Sequence, residues 1–357
     1  MMDFVYEALP GRVLFGEGSL HRVPHEIDSL GAQRVMLIAS GSSKPLADLL
    51  ADLLEERVVA RIDAVNPHVP AADVEAARQL AAGTSTEAVV TIGGGSAIGL
   101  GKNIALEIPV KHLTVPITYS GSEMTPIHGM TVDGLKRIGR DSRAKPHTVI
   151  YDSELGRALP MRVTAGSVMN AMAHCVEALY AERRNPVTSS MARDGLGALQ
   201  HGLGRVIADQ FDPAGRSSML FGAFLAGTAL GSVGMAIHHK ICHVLGGTFG
   251  LAHGDANAVM LPHVVTANAA AEPEVVLEIA GVLETPDPAA RLFDLAASAG
   301  APSSLARLGL TVADLDRAAE IVAENPGFNP RPVDRAWVRQ LLQRAFDGER
   351  PTAAGPA

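Results

Sequence analysis

Two cysteines, Cys175 and Cys242, are the whole thiol content of a 357-residue chain. That is too few for a disulfide framework, and it suits a reducing compartment, so the expected location is cytoplasmic. Aromatic residues are also scarce, at 4%, while Ala and Gly are plentiful, which favours closely packed helices. The first residues, "MMDFVYEALPGRVLFGEGSL", carry no basic stretch ahead of an apolar core, so no signal peptide is predicted. Charged residues make up only 19%, the formal net charge is -8, and no long basic run occurs, so nucleic acid is not an expected partner. An anionic substrate would need a local cluster of Lys, Arg or His acting against that overall field.

What the chain does have is apolar material, 47% of its residues, enough for a large core. The length suggests two domains. One stretch, "MLFGAFLAGTALGSVGMAI" (Met219 to Ile237), has no charge and is about long enough to span a bilayer. It stands alone, without a flanking Lys/Arg asymmetry, and its Gly, Thr and Ser suit a helix buried in an all-helical domain. No membrane partner is therefore expected.

The first half alternates short apolar runs with helical patterns. "RVMLIAS", "VVARID", "EAVVTI" and "HLTVPI" read as buried strands. "KPLADLLADLLEE", "VPAADVEAARQLAAG" and "GGGSAIGLGKNIALEI" read as the helices between them. This rhythm predicts an open parallel sheet with helices on both faces. Residues 127 to 151 break it. Asp133-Gly134 between β-like runs signals a hairpin, with "HTVIYD" as a partner strand. After Leu159-Pro160 the chain reads as long Ala-rich helices. The expected fold class is thus α/β over residues 1–158, a Rossmann-like parallel sheet with a β-hairpin, followed by an all-α domain over 159–357.

Chemistry concentrates in four stretches. "TIGGGSAIGLGK" follows a strand and opens a helix, so Gly93, Gly94, Gly95 and Ser96 present free N–H groups and a positive helix end to a phosphate. It is neither G-x-G-x-x-G, since Ile98 takes the last glycine position, nor a P-loop, since Asn103 follows Lys102; a ligand-free tight turn is the alternative. "PITYSGSEMTP" places Thr118, Tyr119, Ser120 and Ser122 after the fourth strand, at the carboxyl edge where such sheets bind ligands, though an ordinary polar loop would look the same. Asn170 and His174 stand four apart on one helical face, His239 and His243 repeat that spacing, and His253 follows. Groups recurring at helical spacing point to one shared pocket. A carboxylate with three histidines would hold a divalent transition metal, but the carboxylate position is the neutral Asn170. Cys175 and Cys242 adjoin His174 and His243 but lie about 100° away around a helix, which fits packing cysteines better than a zinc thiolate site. "NPGFNPRPV" is either a connector or a loop that brings Arg331 to a carboxylate.

Together these pieces resemble the iron-containing (group III) alcohol dehydrogenase family over nearly the whole chain. The marks are G-G-G-S at Gly93–Ser96, Lys102 after it, the Thr118–Ser122 loop and the histidine segment. The resemblance implies a dehydroquinate synthase-like fold, a dimer, NADH or NADPH bound by Gly41, Gly93, Gly94, Gly95, Ser96, Lys102, Thr118 and Ser122, and a reaction cleft lined by histidines. His174, His239 and His253 with Asn170 match the family's metal-ligand positions, and His243 matches a histidine near the reacting centre. Two departures matter. The family's metal-binding Asp is Asn170, which puts a divalent metal in doubt. Gly41 stands where members selecting NAD often carry Asp, so no carboxylate there repels the 2′-phosphate of NADPH.

One branch of the family fits "YSGSEMTPIHG", "KRIGRD", "TVIYD", "NAMAHCVEALYA" and "NPRPV" better than the metal-dependent alcohol dehydrogenases do. Its members reduce a carbon–carbon double bond conjugated to a ketone in a dicarboxylate. That reaction builds negative charge on the ketone oxygen, which imidazoles can meet without a metal. The resemblance makes His243 the first candidate for proton transfer, then His253, with His239, His174 and Asn170 beside them. Tyr119, His128, Lys240 and Arg331 are candidates for holding substrate. A metal-dependent alcohol dehydrogenase and a non-catalytic metal-storage protein are the rivals.

Overall fold

The computed structural model describes residues 4–9, 11–132 and 135–352. It divides into two compact units, Ala8–Leu159 and Pro160–Ala357, the second grouped with Met1–Glu7.

The α/β unit runs β1 (Arg12–Phe15), α1 (Val23–Ser29), β2 (Val35–Ala39), α2 (Lys44–Leu54), β3 (Val58–Ile62), α3 (Ala71–Gly83), β4 (Ala88–Gly93), α4 (Gly95–Glu107), β5 (Lys111–Pro116), β6 (Ile127–Val132), β7 (Leu135–Arg140) and β8 (Thr148–Tyr151). Six strands form one sheet in the order β1-β8-β5-β4-β2-β3, all pairs parallel. Strand periodicity explains its two faces. Val35, Leu37 and Ala39 of β2 pack with Val23 and Ile27 of α1 and Leu50 and Leu54 of α2. Met36 and Ile38 point the other way, onto Val74 and Ala77 of α3 and Leu100 and Ile104 of α4.

Two details depart from the sequence reading. Thr148–Tyr151 is not a partner of the hairpin: it enters the parallel sheet between β5 and β1. All four of its residues are buried, which a central strand of a covered parallel sheet requires. β6 and β7 pair antiparallel as a two-stranded sheet, with one further bridge from Thr131 of β6 to Pro70, and residues 133–134 between them lie outside the described residues. The edge strand β1 was not anticipated, since four residues with mixed exposure carry little periodic signal.

The helical unit contains α5 (Met161–Tyr180), α6 (Pro186–Ala208), α7 (Pro213–Val233), α8 (Ile237–Phe249), α9 (His253–Asn268), α10 (Pro273–Val282), α11 (Pro288–Ser298), α12 (Val312–Glu324) and α13 (Arg335–Asp347). Glycines let α6 and α7 approach closely: a Cβ on Gly202 would stand 2.7 Å from the Gly215 carbonyl, and one on Gly222 would stand 2.8 Å from that of Gly195. The apolar stretch 219–237 is not one helix. Gly234, at φ +95°, ends α7, and α8 leaves at 101° to it. Among the described residues no single helix is long and apolar enough to cross a membrane.

Candidate active site

In the α/β unit the glycine segment follows β4 and opens α4. Gly93 has φ +147°, and a Cβ there would stand 2.7 Å from Ser40 Oγ, so only glycine allows β4 to end beside the end of β2. Chain order reverses between these two strands, the position where open parallel sheets bind ligands. No side chain caps α4, leaving its first N–H groups without an intrahelical acceptor. A Cβ on Gly95 would meet nothing within 4 Å, while one on Gly94 would stand 3.4 Å from Thr118 Oγ1. That Thr118 hydroxyl is buried and has no hydrogen-bond partner. An uncapped helix start, an open approach and an unsatisfied hydroxyl fit the pyrophosphate of a dinucleotide. Gly41 opens the turn after β2, exposed, with room around it.

Lys102 takes a different place from the one expected. Its ammonium is buried and donates to the carbonyls of Ser122 (2.6 Å), Ile127 (2.8 Å) and Thr125 (2.9 Å) and to Thr125 Oγ1 (3.1 Å). Four acceptors exhaust its three N–H bonds, so Lys102 supports the 122–127 loop and has no donor left for a cofactor phosphate. Burial pulls its pKa down to about 7. Within that loop Glu123 Oε1 accepts the Tyr151 hydroxyl at 2.7 Å, and burial pushes the Glu123 carboxyl up to about 7.

In the helical unit, Gly166, Asn170 and His174 recur every four residues on one face of α5, and Glu177 follows three later. Two contacts hold the start of α9 against the same helix. A Cβ on Gly166 would stand 2.9 Å from the Gly254 carbonyl carbon, so two glycines set the crossing, and Arg162 pairs with Asp255 at 2.7 Å. His253, the first residue of α9, arrives through this crossing. The imidazoles form a row. Ring centroids are 4.8 Å apart for His174 and His239, 6.1 Å for His239 and His243, and 5.6 Å for His243 and His253, the last pair stacked at 11°. Asn170, His174 and His239 are buried.

Sequence reasoning missed Glu177, whose signal was only a carboxylate one turn beyond His174. It is fully buried, and Oε2 accepts the Nδ1–H of His239 at 2.8 Å. It also accepts the backbone N–H groups of Ala236 (2.8 Å) and His239 (3.2 Å). His239 and these donors keep the carboxyl below its ordinary pKa, although burial alone would raise it. The His239 Nε2 atom is buried and makes no hydrogen bond. His238 turns into the core instead, 3.4 Å from the Asn257 carbonyl, and burial lowers its pKa to about 3. Cys175 and Cys242 are buried, and neither forms a disulfide among the described residues.

The other candidates divide between the units, Tyr119 and His128 in the α/β unit and Lys240 and Arg331 in the helical unit. Tyr119 is buried with its hydroxyl against Gly156. His128, on β6, covers Gly139 across the hairpin. Lys240 is half-buried on α8. Arg331 donates to the Ala267 carbonyl at 3.2 Å and lies 5.2 Å above the Trp337 ring.

The fold and motifs are those of a known family. Residues 10–153 match the iron-containing alcohol dehydrogenase profile, and residues 164–346 match the C-terminal profile of the Fe-containing alcohol dehydrogenase family. The chain belongs to the iron-containing alcohol dehydrogenase family, a family of oxidoreductases. Within it, the chain is similar to maleylacetate reductases. It is 43% identical over 352 residues to the maleylacetate reductase of Burkholderia cepacia, covering 99% of this chain and 100% of that one. It is 42% identical over 349 residues to maleylacetate reductase 1 of Rhodococcus opacus, covering 98% of each. The crystal structure of maleylacetate reductase from Agrobacterium tumefaciens superposes with a TM-score of 0.92 at 42% identity, covering 98% of this chain and all of that one.

Proposed function

We propose that this protein is a maleylacetate reductase, reducing the conjugated double bond of maleylacetate to give 3-oxoadipate in the breakdown of aromatic compounds. The observation that carries this reading is the row His174–His239–His243–His253, with the neutral Asn170 where a metal site would place a carboxylate. The substrate is a small dicarboxylate. A net charge of -8 and no basic run argue against nucleic acid as a partner; membership of the family supports a homodimer that works without a membrane partner.

NADH or NADPH supplies the hydride. The uncapped start of α4, Gly93–Ser96, Thr118 and Ser122 hold it, and Gly41 leaves room for either cofactor. Hydride reaches the alkene carbon distal to the ketone. The alkene electrons move toward the ketone, and an enolate forms on its oxygen. A proton then adds to the carbon next to the ketone, so the alkene is reduced, the nicotinamide is oxidised and one proton is consumed. His243 is the proton-transfer residue, with His253 stacked on it. Glu177 positions His239 by holding Nδ1–H, which turns Nε2 toward the row.

No resident divalent ion is part of this reading. Three imidazoles and an amide bring no negative charge to a divalent cation. Among the described residues the group whose ligand atoms come within 4.8 Å of one another is Glu177, His238 and His239, and there the carboxylate is already bonded to His239. The deciding experiment follows NADH absorbance with maleylacetate in chelator-treated enzyme. Rapid oxidation supports the assignment. Turnover only after Zn²⁺ or Fe²⁺ is added keeps the enzyme class and overturns the metal-free mechanism, whereas activity confined to simple aldehydes makes the protein an alcohol dehydrogenase.

A further inference from the structure

The α/β unit has a basic hollow that the proposed reaction does not use. A cavity of about 330 Å³ opens among Gly11, Ala105, Lys111, Arg143, Lys145 and His147. These residues lie at the amino ends of β1, β5 and β8, whereas the glycine loop lies at the carboxyl end of β4. A six-residue strand spans about 20 Å, so this cavity and the cofactor loop occupy opposite edges of the sheet. Among the described lining residues there is no Asp or Glu, in a chain whose net charge is -8.

The cavity is built around a buried cation. Lys145 is 8% exposed, and its ammonium donates to the Leu9 carbonyl at 3.3 Å. A Cβ on Gly11 would stand 2.6 Å from that Nζ, and Gly11 has φ +155°, so a glycine there makes the space the ammonium fills. Burial lowers the Lys145 pKa, as expected for a cation held away from water. Lys111 is exposed at the rim. Arg143 is fixed by Asp141 at 2.7 Å and caps α4 by donating to the Leu106 carbonyl at 3.0 Å, which offsets the negative end of that helix. His147 Nδ1 accepts the backbone N–H of His112 at 3.2 Å, so its ring orientation is set from within the fold.

We propose that this cavity is a second anion site, taking a small dianion such as inorganic phosphate or a short dicarboxylate. Lys145 and Lys111 supply the charge, and Arg143 and His147 form the wall. Because Ala105 lies in the last turn of the helix that begins at the glycine loop, an anion here touches the far end of the cofactor-binding helix.

The test uses the full-length enzyme saturated with NADH, so that the glycine loop is occupied. Inorganic phosphate and succinate are titrated separately by calorimetry at constant ionic strength. Saturable binding is expected, weakened about tenfold or more by Lys145→Met and by Lys111→Glu, as loss of a charge-assisted contact requires, with turnover retained. Binding of both anions with this dependence supports a general dianion site, and binding of phosphate alone supports a phosphoryl-selective one. Because Lys111 is exposed, its variant keeps the test valid if Lys145→Met fails to fold. No saturable heat, or binding unchanged in the variants, overturns the proposal.

Discussion

Glu177 and His239 face each other in the interior of the helical unit, Oε2 to Nδ1 at 2.8 Å, on residues 62 positions apart in the chain. The carboxylate has two further backbone donors, so it cannot rotate without leaving N–H groups unsatisfied. In Glu177→Gln the amide NH2 must face one of those donors. We expect kcat to fall about 10- to 100-fold, the usual cost of losing a residue that orients an active imidazole. KM for NADH should stay within about twofold, since the cofactor loop belongs to the other unit. An unchanged kcat, measured by steady-state NADH oxidation, would remove Glu177 from the mechanism.

His243 stacks on His253 with ring centroids 5.6 Å apart, and the proposed mechanism gives His243 the proton transfer. His243→Ala should lower kcat by about 10²- to 10⁴-fold, the range for loss of a general acid or base. Normal turnover in that variant would transfer the role elsewhere.

If the reaction needs no metal, dialysis against a chelator leaves the rate unchanged and added Zn²⁺ does not raise it. Asn170→Asp restores an anionic donor to the row, so this variant should retain more Zn²⁺ through gel filtration than the wild type. Equal metal contents in the two proteins would show that the amide is not what keeps divalent ions out.

Cofactor choice can be tested at Gly41. The position has space for a side chain, so Gly41→Asp introduces a carboxylate without a clash. The kcat/KM for NADPH should drop by about tenfold or more through repulsion of the 2′-phosphate, with NADH little affected. Parallel losses with both cofactors would mean that Gly41 does not lie near the ribose.

Glu123 gives a pH signature. Burial raises its pKa from 4.5 to about 7. Between those values the folded protein holds a proton that the unfolded chain releases, so stability falls as pH rises through that window. The full effect of that shift is about 3 kcal/mol. Glu123→Gln mimics the protonated form, so its melting temperature should vary less than that of the wild type between pH 5 and pH 8. Parallel melting curves for the two proteins would show that Glu123 keeps an ordinary pKa.

Much of this architecture is written in local spacing. Strand runs of four to six apolar residues, helices ending at Gly83, and the glycine segment after β4 each follow from backbone periodicity and from what glycine permits. The i, i+4 pairs Asn170–His174 and His239–His243 put imidazoles on helix faces by the same logic. Local spacing could not say which faces would meet. That depends on packing between distant segments: Gly166 against Gly254 brings His253 to α5, and Glu177 finds His239 across two helices. The same dependence explains the misplaced elements. Thr148–Tyr151 has the pattern of any buried strand, and only the space between β5 and β1 makes it part of the parallel sheet. Lys102 follows the glycine loop closely in sequence, but a long side chain goes where acceptors converge, and four of them lie in the 122–127 loop. Sequence by itself determined the elements and the chemical inventory, because turns, periods and residue types act over a few residues. Tertiary structure alone decided the partners, because burial makes each polar atom take its hydrogen bond from whichever segment folds against it.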